Sequence, residues 1–262
     1  MNLSLKGKSA MVCGSTQGIG KAIAIELALN GADITLVSRN EIALKTTLAE
    51  LDTSLGQIHN FIAVDFSHPE ELKLKVFLFL KKNPPVNILI NNTGGPAGGP
   101  AFGAEPSEYI QAFSTHLICN QILVQSVLEG MKKTEYGRII NIISTSVKTP
   151  IAGLGVSNTI RGAVASWGKT LARELGPFGI TVNNVLPGAT KTQRLKSLME
   201  IRAKKAAVTF SDEEKEWLNE IPAGRFAEPG EIANAVAFLS SPAAAYINGI
   251  NFPVDGGRTP CL

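Results

Sequence analysis

Short apolar runs rich in Val and Ile alternate with longer segments of helical periodicity along the whole chain. The predicted strands span 9–12, 33–37, 58–64, 86–90, 138–143, 181–186 and 250–254. The predicted helices span 19–30, 41–55, 69–82, 107–133, 156–175 and 229–240. Strands with so little polar alternation are typically buried on both faces, and strand–helix alternation builds right-handed βαβ units. We therefore predict an α/β, Rossmann-like, doubly wound parallel sheet of seven strands, with helices on both faces in three layers.

The chain of 262 residues fits a single domain spanning 1–262, because no linker or repeat interrupts the alternation. Its one departure is a charge-rich stretch at 191–220, in which Ser211 followed by Glu214 resembles a capping box. We predict two short helices there, within a helical insertion spanning 190–222. Because the carboxyl ends of parallel strands hold ligands, we interpret the insertion as a mobile lid. A solvated surface excursion is the alternative.

Composition and residue spacing exclude several classes of function. Cys and His number three each and lack ligand spacing, so we expect no metal site and a reduced, cytoplasmic protein. The net charge of +3 is small and its charges are interspersed, which argues against a nucleic-acid partner. Because no apolar run reaches about 18 residues and no apolar h-region precedes the first strand, we expect neither a membrane span nor a signal peptide.

A glycine-rich turn joins the first predicted strand to the first helix. It reads Gly14-Ser15-Thr16-Gln17-Gly18-Ile19-Gly20, with the spacing GxxxGxG. Glycines permit a tight turn and let backbone N–H groups approach a pyrophosphate, which the positive end of the helix attracts. We interpret all seven residues as a dinucleotide-binding segment. A plain tight turn without a ligand is the alternative.

The second predicted strand ends in Ser38 and Arg39, where an NAD site would carry Asp or Glu for the ribose 2′-hydroxyl. A guanidinium and a hydroxyl suit a 2′-phosphate instead. We therefore predict NADP(H) as the cofactor in preference to NAD, although an Arg exposed at a strand end without a ligand is the alternative. Asp65, at the end of the third strand, is a candidate acceptor for the adenine amino group.

Four further motifs resemble those of the short-chain dehydrogenase/reductase family over nearly the whole chain. They are Asn91-Asn92-Thr93-Gly94, NNVLPG at 183–188 with Thr192 beyond it, RFAEPGEIA at 225–233 and VDGG at 254–257. The group that the chain resembles most is that of the 3-oxoacyl-acyl-carrier-protein reductases. The resemblance implies that the substrate is a small-molecule carbonyl or alcohol and that the protein is a homodimer or homotetramer. The cofactor contacts that it implies in these motifs are Asn92, Gly94, Pro187, Gly188 and Thr192.

The family's catalytic set is a Tyr general acid/base, a Lys four residues later that holds the ribose, a Ser thirteen residues before the Tyr, and an Asn on the preceding long helix. The stretch SNTIRGAV at 157–164 is similar to the family's YxxSKxAV. This similarity puts Ser157 at the Tyr position and Arg161 at the Lys position. Ser144 then occupies the Ser position and His116 the Asn position, so only the Ser is retained.

These replacements change the proton chemistry of the site. Ser is a weaker acid than Tyr and Arg keeps a fixed charge, whereas His titrates near neutral pH. We therefore expect an NADP(H)-dependent oxidoreductase in which Ser144 and Ser157 orient the carbonyl, Arg161 fixes the ribose, and His116 or water delivers the proton. The alternatives are a non-catalytic NADP(H)-binding sensor or partner-binding protein, and an elimination or hydration that uses His116.

The helix at 156–175 carries small residues that would permit close pairing with a second subunit. They are Ala163, Ala165, Gly168 and Ala172. An ordinary internal helix has the same pattern, so this stripe supports the expected dimer or tetramer only weakly.

Overall fold

Seven strands form one sheet in a computed structural model that describes residues 1–261. The strands are β1 Ser9–Cys13, β2 Asp33–Ser38, β3 Asn60–Ala63, β4 Ile88–Asn91, β5 Gly137–Ile142, β6 Ile180–Pro187 and β7 Asn251–Val254. Every neighbouring pair is parallel, in the order β3-β2-β1-β4-β5-β6-β7. The predicted Rossmann-like sheet is therefore confirmed, with strand ends that differ by one or two residues.

Helices cover both faces of this sheet. They are α1 Gly18–Leu29, α2 Glu41–Leu48, α3 Pro69–Leu80, α4 Pro106–Phe113, α5 Cys119–Lys133, α6 Gly155–Leu175, α7 Gln193–Ala206, α8 Phe210–Asn219 and α9 Pro229–Ser240. Side chains alternate along β1: Val12 joins a core with α1 and α9, whereas Met11 joins a core with α3 and α5. Two hydrophobic cores on opposite faces of one sheet give the three predicted layers.

The order of strands reverses at β1, which pairs with β2 on one side and with β4 on the other. In doubly wound sheets the crevice at such a reversal, outside the carboxyl ends of the strands, holds the ligand. The glycine-rich turn follows β1 and the Asn91–Gly94 motif follows β4, so both motifs open onto this crevice.

A row of asparagines crosses the sheet at matched register positions. Asn91 Nδ2 donates to Asn141 Oδ1, Asn141 Nδ2 to Asn184 Oδ1, and Asn184 Nδ2 to Asn251 Oδ1, each at 2.8 Å. The pairs Asn91–Asn141, Asn141–Asn184 and Asn184–Asn251 are also cross-strand neighbours. Because Gly168 of α6 lies against this row, where an added Cβ would be 2.9 Å from Asn184 Oδ1, the helix packs close to the sheet.

The structure modifies two of the predicted helices. The segment 107–133 is helical throughout, but a π-helical turn at Ser114–Ile118 separates α4 from α5. The helix predicted to reach residue 55 ends at Leu48, where the chain turns away. Beyond it, Asp52 accepts the N–H of Ser54 at 3.0 Å, and side-chain bonds of this kind compete with helix formation.

The insertion contains α7 and α8, which enclose a small core of their own. Its members are Ala189, Leu195, Met199, Trp217, Ile221 and Phe226. The expected capping box at Ser211 and Glu214 was wrong. Thr209 caps α8 instead and accepts the N–H of Asp212 at 3.1 Å, since the helix starts one residue before Ser211.

Three of the four small residues on α6 pack inside the subunit. Ala165 and Ala172 lie in hydrophobic cores, and Gly168 faces the asparagine row of the sheet. The fourth, Ala163, is half-buried. The small size of the first three therefore serves the packing of α6 inside the subunit.

Two absences hold for residues 1–261. None of their helices is long and apolar enough to cross a membrane. Their His, Cys, Asp and Glu side chains form no cluster of three or more that would hold a metal ion.

Candidate active site

The glycine-rich turn is held in a conformation that only glycine adopts easily. Gly14 and Gly18 have φ angles of +59° and +53°, in the left-handed region. Gly20 has no room for a side chain, because an added Cβ would overlap the Gly14 carbonyl oxygen and lie 2.6 Å from Asn92 Nδ2. The turn thus brings the start of α1 against the end of β1, as a dinucleotide-binding segment requires.

The start of α1 suits an anion. No side chain caps the helix at Gln17, and its first turn carries no acidic residue. Its backbone N–H groups and the positive end of its dipole are therefore available to a pyrophosphate. Ser15 is fully buried and its hydroxyl accepts the N–H of Val37 at 3.1 Å, so its side chain holds the turn against β2.

The predicted 2′-phosphate site lies beside this turn. The hydroxyls of Thr16 and Ser38 are 3.3 Å apart, and Arg39 next to Ser38 is exposed. The N–H of Ser67 and then the positive charge of Arg39 hold the pKa of Asp65 below its ordinary value. Arg39 and Asp65 therefore belong to the same end of the crevice.

Asn92 and Gly94, which follow β4, have different structural roles. Asn92 Nδ2 donates to the carbonyl oxygens of Cys13 at 3.2 Å and Gly14 at 3.4 Å, so its side chain braces the glycine-rich turn. Gly94 is exposed, and an added Cβ there would meet nothing within 4 Å. Gly94 is thus the exposed one of the two, and Asn92 is partly buried.

The residues after β6 connect the insertion to the turn. Pro187 ends β6, and Gly188 packs so tightly that an added Cβ would lie 2.6 Å from Asp255 Cα. The Thr192 hydroxyl caps α7 by accepting the N–H of Leu195 at 3.3 Å. Its methyl group lies 3.1 Å from the Cβ position of Gly18. Thr192 therefore links α7 to the predicted pyrophosphate segment.

Ser144 and Ser157 approach the crevice from β5 and α6. Ser144 follows β5 and its hydroxyl accepts the N–H of Ser146 at 3.1 Å, which leaves its own proton to donate. Ser157 is 9% exposed in the first turn of α6. No hydrogen bond among residues 1–261 involves its hydroxyl, so this group is available to a ligand.

His116 and Arg161 lie close to each other beneath the loop after β4. His116 sits in the π-helical turn, 3% exposed, with Nδ1 2.5 Å from the Thr93 hydroxyl. Burial, followed by the charge of Arg161, lowers the pKa of His116 from 6.5 to about 3, against a hydrogen bond with the Gly94 backbone. The expectation that His116 titrates near neutral pH was therefore wrong: its imidazole is neutral there.

Arg161 is anchored by the main chain of β5. Its Nη1 donates to the Ile142 carbonyl oxygen at 2.8 Å, and its side chain is buried. Burial, followed by the charge of Arg194, lowers the pKa of Arg161 to about 10. The guanidinium thus remains charged at neutral pH at a fixed place between β5 and the loop after β4.

Sequence reasoning missed two residues of this site. Thr93 lies inside a quoted motif, yet its bond to His116 spans 23 positions of the chain. Arg194 lies in the charge-rich insertion, where its sequence context resembles that of an exposed lysine or arginine. Its bond to the Pro96 carbonyl oxygen, at 2.7 Å, places it beside the loop after β4.

Known proteins similar to this chain cover nearly its full length. A family profile described as enoyl-(acyl carrier protein) reductase matches residues 14–259. The 3-oxoacyl-acyl-carrier-protein reductase FabG of Vibrio cholerae is 34% identical over 256 residues, which are 97% of this chain and 98% of that protein.

Solved structures with the same fold include two reductases. L-sorbose reductase from Gluconobacter frateurii, complexed with NADPH and L-sorbose, superimposes with a TM-score of 0.92 at 29% identity over 100% of both chains. A variant of actinorhodin polyketide ketoreductase with NADPH has a TM-score of 0.90 at 30% identity, over 97% of this chain and 98% of that one. The sheet order, the glycine-rich turn and these matches agree, and the chain belongs to the short-chain dehydrogenase/reductase family, where it resembles the 3-oxoacyl-acyl-carrier-protein reductases.

Proposed function

We propose that this protein is an NADP(H)-dependent oxidoreductase that interconverts a carbonyl and an alcohol, with Ser157 and Arg161 at the family's Tyr and Lys positions. The observation that carries the proposal is the convergence of Ser144, Arg161 and the loop after β4 at the crevice that the glycine-rich turn also borders. The solved relatives that contain NADPH support the choice of cofactor.

The chain's own residues hold the cofactor at two places. Backbone N–H groups at the start of α1 bind the pyrophosphate, and Ser38 with Arg39 binds the 2′-phosphate. When bound, NADPH supplies the hydride that adds to the carbonyl carbon, while the carbonyl oxygen takes up a proton and NADP⁺ remains. Thr192 ties α7 to the same segment, so the insertion is positioned by the cofactor site.

Ser144 and Ser157 orient the carbonyl group of the substrate. The Ser144 hydroxyl already accepts a backbone N–H, so it donates its own proton to the carbonyl oxygen. Arg161 places a positive charge near the oxygen on which negative charge develops. A hydroxyl and a guanidinium donate hydrogen bonds there without losing a proton at neutral pH.

The proton comes from solvent in this proposal. The neutral imidazole of His116 has no spare proton to release at neutral pH, since its pKa is about 3. The three tyrosines offer no substitute: Tyr136 donates to the Ser240 carbonyl oxygen at 2.6 Å, Tyr109 donates to that of Ala101 at 3.4 Å, and Tyr246 is fully exposed. Because no side chain among residues 1–261 takes the place of the proton donor, a non-catalytic NADP(H) sensor is the second candidate function.

The insertion spanning 190–222 acts as a lid over the substrate in the same proposal. Arg194 donates to the Pro96 carbonyl oxygen at 2.7 Å, and Arg202 donates to that of Ala152 at 3.2 Å. Helix α7 thereby bridges the loops that follow β4 and β5. We also propose a homodimer or homotetramer, on the family resemblance alone.

NADPH oxidation against a panel of ketones, aldehydes and 3-oxoacyl thioesters tests the proposal. We expect turnover that falls by about 10²–10³-fold in Ser144→Ala, because one preformed donor to the oxyanion is lost. The control is Ser146→Ala, two residues further along the chain. It removes a buried hydroxyl that has no hydrogen-bond partner within residues 1–261, and we expect the rate to stay unchanged. Rates equal to those of buffer across the panel, together with tight NADPH binding, would establish the sensor instead.

A further inference from the structure

Arg194 is an exposed side chain that extends from the insertion toward the loop after β4. It belongs to the first turn of α7, whose start is set by the Thr192 cap. Its Nη2 donates to the Pro96 carbonyl oxygen at 2.7 Å, which draws the guanidinium toward the loop after β4. The side chain therefore reaches from the insertion to the residues that follow Gly94.

The guanidinium groups of Arg194 and Arg161 approach the same point. Each has its Nη2 atom 3.6 Å from the position that a Cβ would take on Gly95. One guanidinium arrives from the buried face of α6 and the other from the insertion. They are far apart in the sequence, and no other atom of residues 1–261 outside Gly95 and its chain neighbours lies within 4 Å of that Cβ position.

This pair of positive charges has no acidic partner among residues 1–261. Their eight salt bridges include neither Arg161 nor Arg194. The arginines elsewhere in the insertion and near the C-terminus behave differently, since Arg202, Arg225 and Arg258 each face a Glu. Arg161 is buried, and a buried cation without a counter-ion is costly, whereas Arg194 is exposed to solvent.

The two arginines also oppose each other electrostatically. The charge of Arg194 contributes to the lowered pKa of Arg161, after burial, and burial lowers the pKa of Arg194. An anion between them would relieve both effects, because each guanidinium would gain an opposite charge and charge-assisted hydrogen bonds. Two guanidinium groups without a counter-ion at one point would therefore favour a negatively charged ligand.

The residues of the pair differ from those that we assign to the phosphates of the cofactor. Those phosphates are assigned to the start of α1 and to Arg39. Arg161 of the pair lies near His116, both arginines lie at Gly95, and Ser157 stands one turn before Arg161 on α6. The anion thus belongs next to the group that reacts.

We propose that Arg161 and Arg194 bind an anionic group, a carboxylate or a phosphate, on the substrate of this enzyme. The inference rests on the proposed function, since it names the class of carbonyl or alcohol that the same site accepts. A planar guanidinium pairs with two oxygens of either group. Arg194 is then the residue that selects acidic substrates. Arg161 binds the same anionic group and also places its positive charge near the reacting oxygen.

Binding of unreactive probes tests the proposal without turnover. Isothermal titration calorimetry with the full chain, saturated with NADP⁺, compares oxamate as the carboxylate, inorganic phosphate, and oxamide as the neutral analogue. We expect at least one anion to bind about tenfold or more tightly than oxamide, since hydrogen bonds to charged groups contribute about 1.5–3 kcal/mol. The anion that binds identifies the group, and its binding weakens as the salt concentration rises.

Matched variants assign the effect to Arg194. Arg194→Gln should raise the Kd of the anion by about tenfold or more and leave the Kd of NADPH unchanged. Lys196→Gln removes the same charge from an exposed position of α7 and should change neither. Equal binding of anions and oxamide, equal effects of the two variants, or a matching loss of NADPH affinity in Arg194→Gln would each overturn the proposal.

Turnover separates this inference from the proposed function. Reduction of pyruvate and of glyceraldehyde 3-phosphate is compared with that of methyl pyruvate and glyceraldehyde. If the neutral compounds react as fast as the charged ones, the proposed function stands and the anion site is wrong. If nothing reacts but an anion still binds through Arg194, the anion site stands as a ligand site and the oxidoreductase is wrong.

Discussion

The Thr93 hydroxyl lies 2.5 Å from Nδ1 of His116. His116 belongs to a π-helical turn within a long helical segment. Such turns occur frequently at functional sites. The bond fixes the ring beside Arg161, whose charge adds to burial in keeping the imidazole neutral. A histidine that is neutral in the folded protein affects both stability and turnover as the pH changes.

The effect on stability has a defined pH range. The folded-state pKa of His116, about 3, lies below its ordinary value of 6.5, so the unfolded chain takes up this proton first as the pH falls. The contribution of His116 to stability is complete above pH 6.5 and declines toward pH 3. Between about pH 7.5 and about pH 4.5 the loss amounts to about 2–3 kcal/mol.

Urea unfolding of the wild type and of His116→Gln at both pH values measures this loss. Carboxyl groups such as those of Asp65 and Glu231 also have lowered pKa values. Their protonation in acid destabilises the wild type and the variant alike. Only the difference between the two proteins reports on His116. An equal decline in both would show that the folded protein takes up this proton near the ordinary pH.

Turnover should be insensitive to pH near neutrality. Since His116 and Arg161 have pKa values of about 3 and about 10, neither changes charge there. We expect kcat to show no ionisation between about pH 6 and about pH 8.5. An inflection near pH 6.5 that disappears in His116→Gln would instead make His116 the proton donor.

Arg39 should decide which nicotinamide dinucleotide binds. Arg39→Gln removes a charge-assisted bond to the 2′-phosphate and should raise the Kd of NADPH by roughly tenfold to a hundredfold, while that of NADH stays constant. Fluorescence titration with both dinucleotides measures the two constants. Arg173→Gln, an exposed position on α6, serves as the control. A parallel loss of NADH would point to a structural role for Arg39.

Gly20→Ala should abolish dinucleotide binding. The new methyl group would overlap the Gly14 carbonyl oxygen, so the turn and the start of α1 must separate. The control is Gly162→Ala, since an added Cβ at Gly162 of α6 meets nothing within 4 Å. That variant should be neutral or stabilising by about 0.5–1 kcal/mol. Calorimetry with NADPH and thermal unfolding distinguish them, and full binding by Gly20→Ala would contradict the assignment of the turn.

The asparagine row should contribute measurably to stability. Asn141→Leu leaves Asn91 Nδ2 and Asn184 Oδ1 buried without their partner. Each such group costs about 1–3 kcal/mol, so we expect a loss of about 2–4 kcal/mol in the free energy of unfolding. Urea denaturation measures it. A loss below about 1 kcal/mol would mean that water enters the row and replaces the missing bonds.

Much of the architecture was predictable because its signals are local. The buried strands, the glycine-rich turn and the Arg39 position each follow from a few neighbouring residues and their spacing. The interrupted helix at 107–133 was not, because Ser114–Ile118 continue the helical pattern of the sequence while their hydrogen bonds widen by one residue. The stripe on α6 was ambiguous for a related reason: small residues fit an internal sheet contact and a subunit contact equally well.

The sequence by itself determined the fold, and it predicted the cofactor segment and the residues at the family's catalytic positions, since these depend on periodicity and on motifs of a few residues. Only the tertiary structure decided that His116 is neutral and that Arg194 meets Arg161 over Gly95. A pKa depends on burial and on charges brought together from distant parts of the chain. Those distances exist only after the sheet and the insertion have folded against each other.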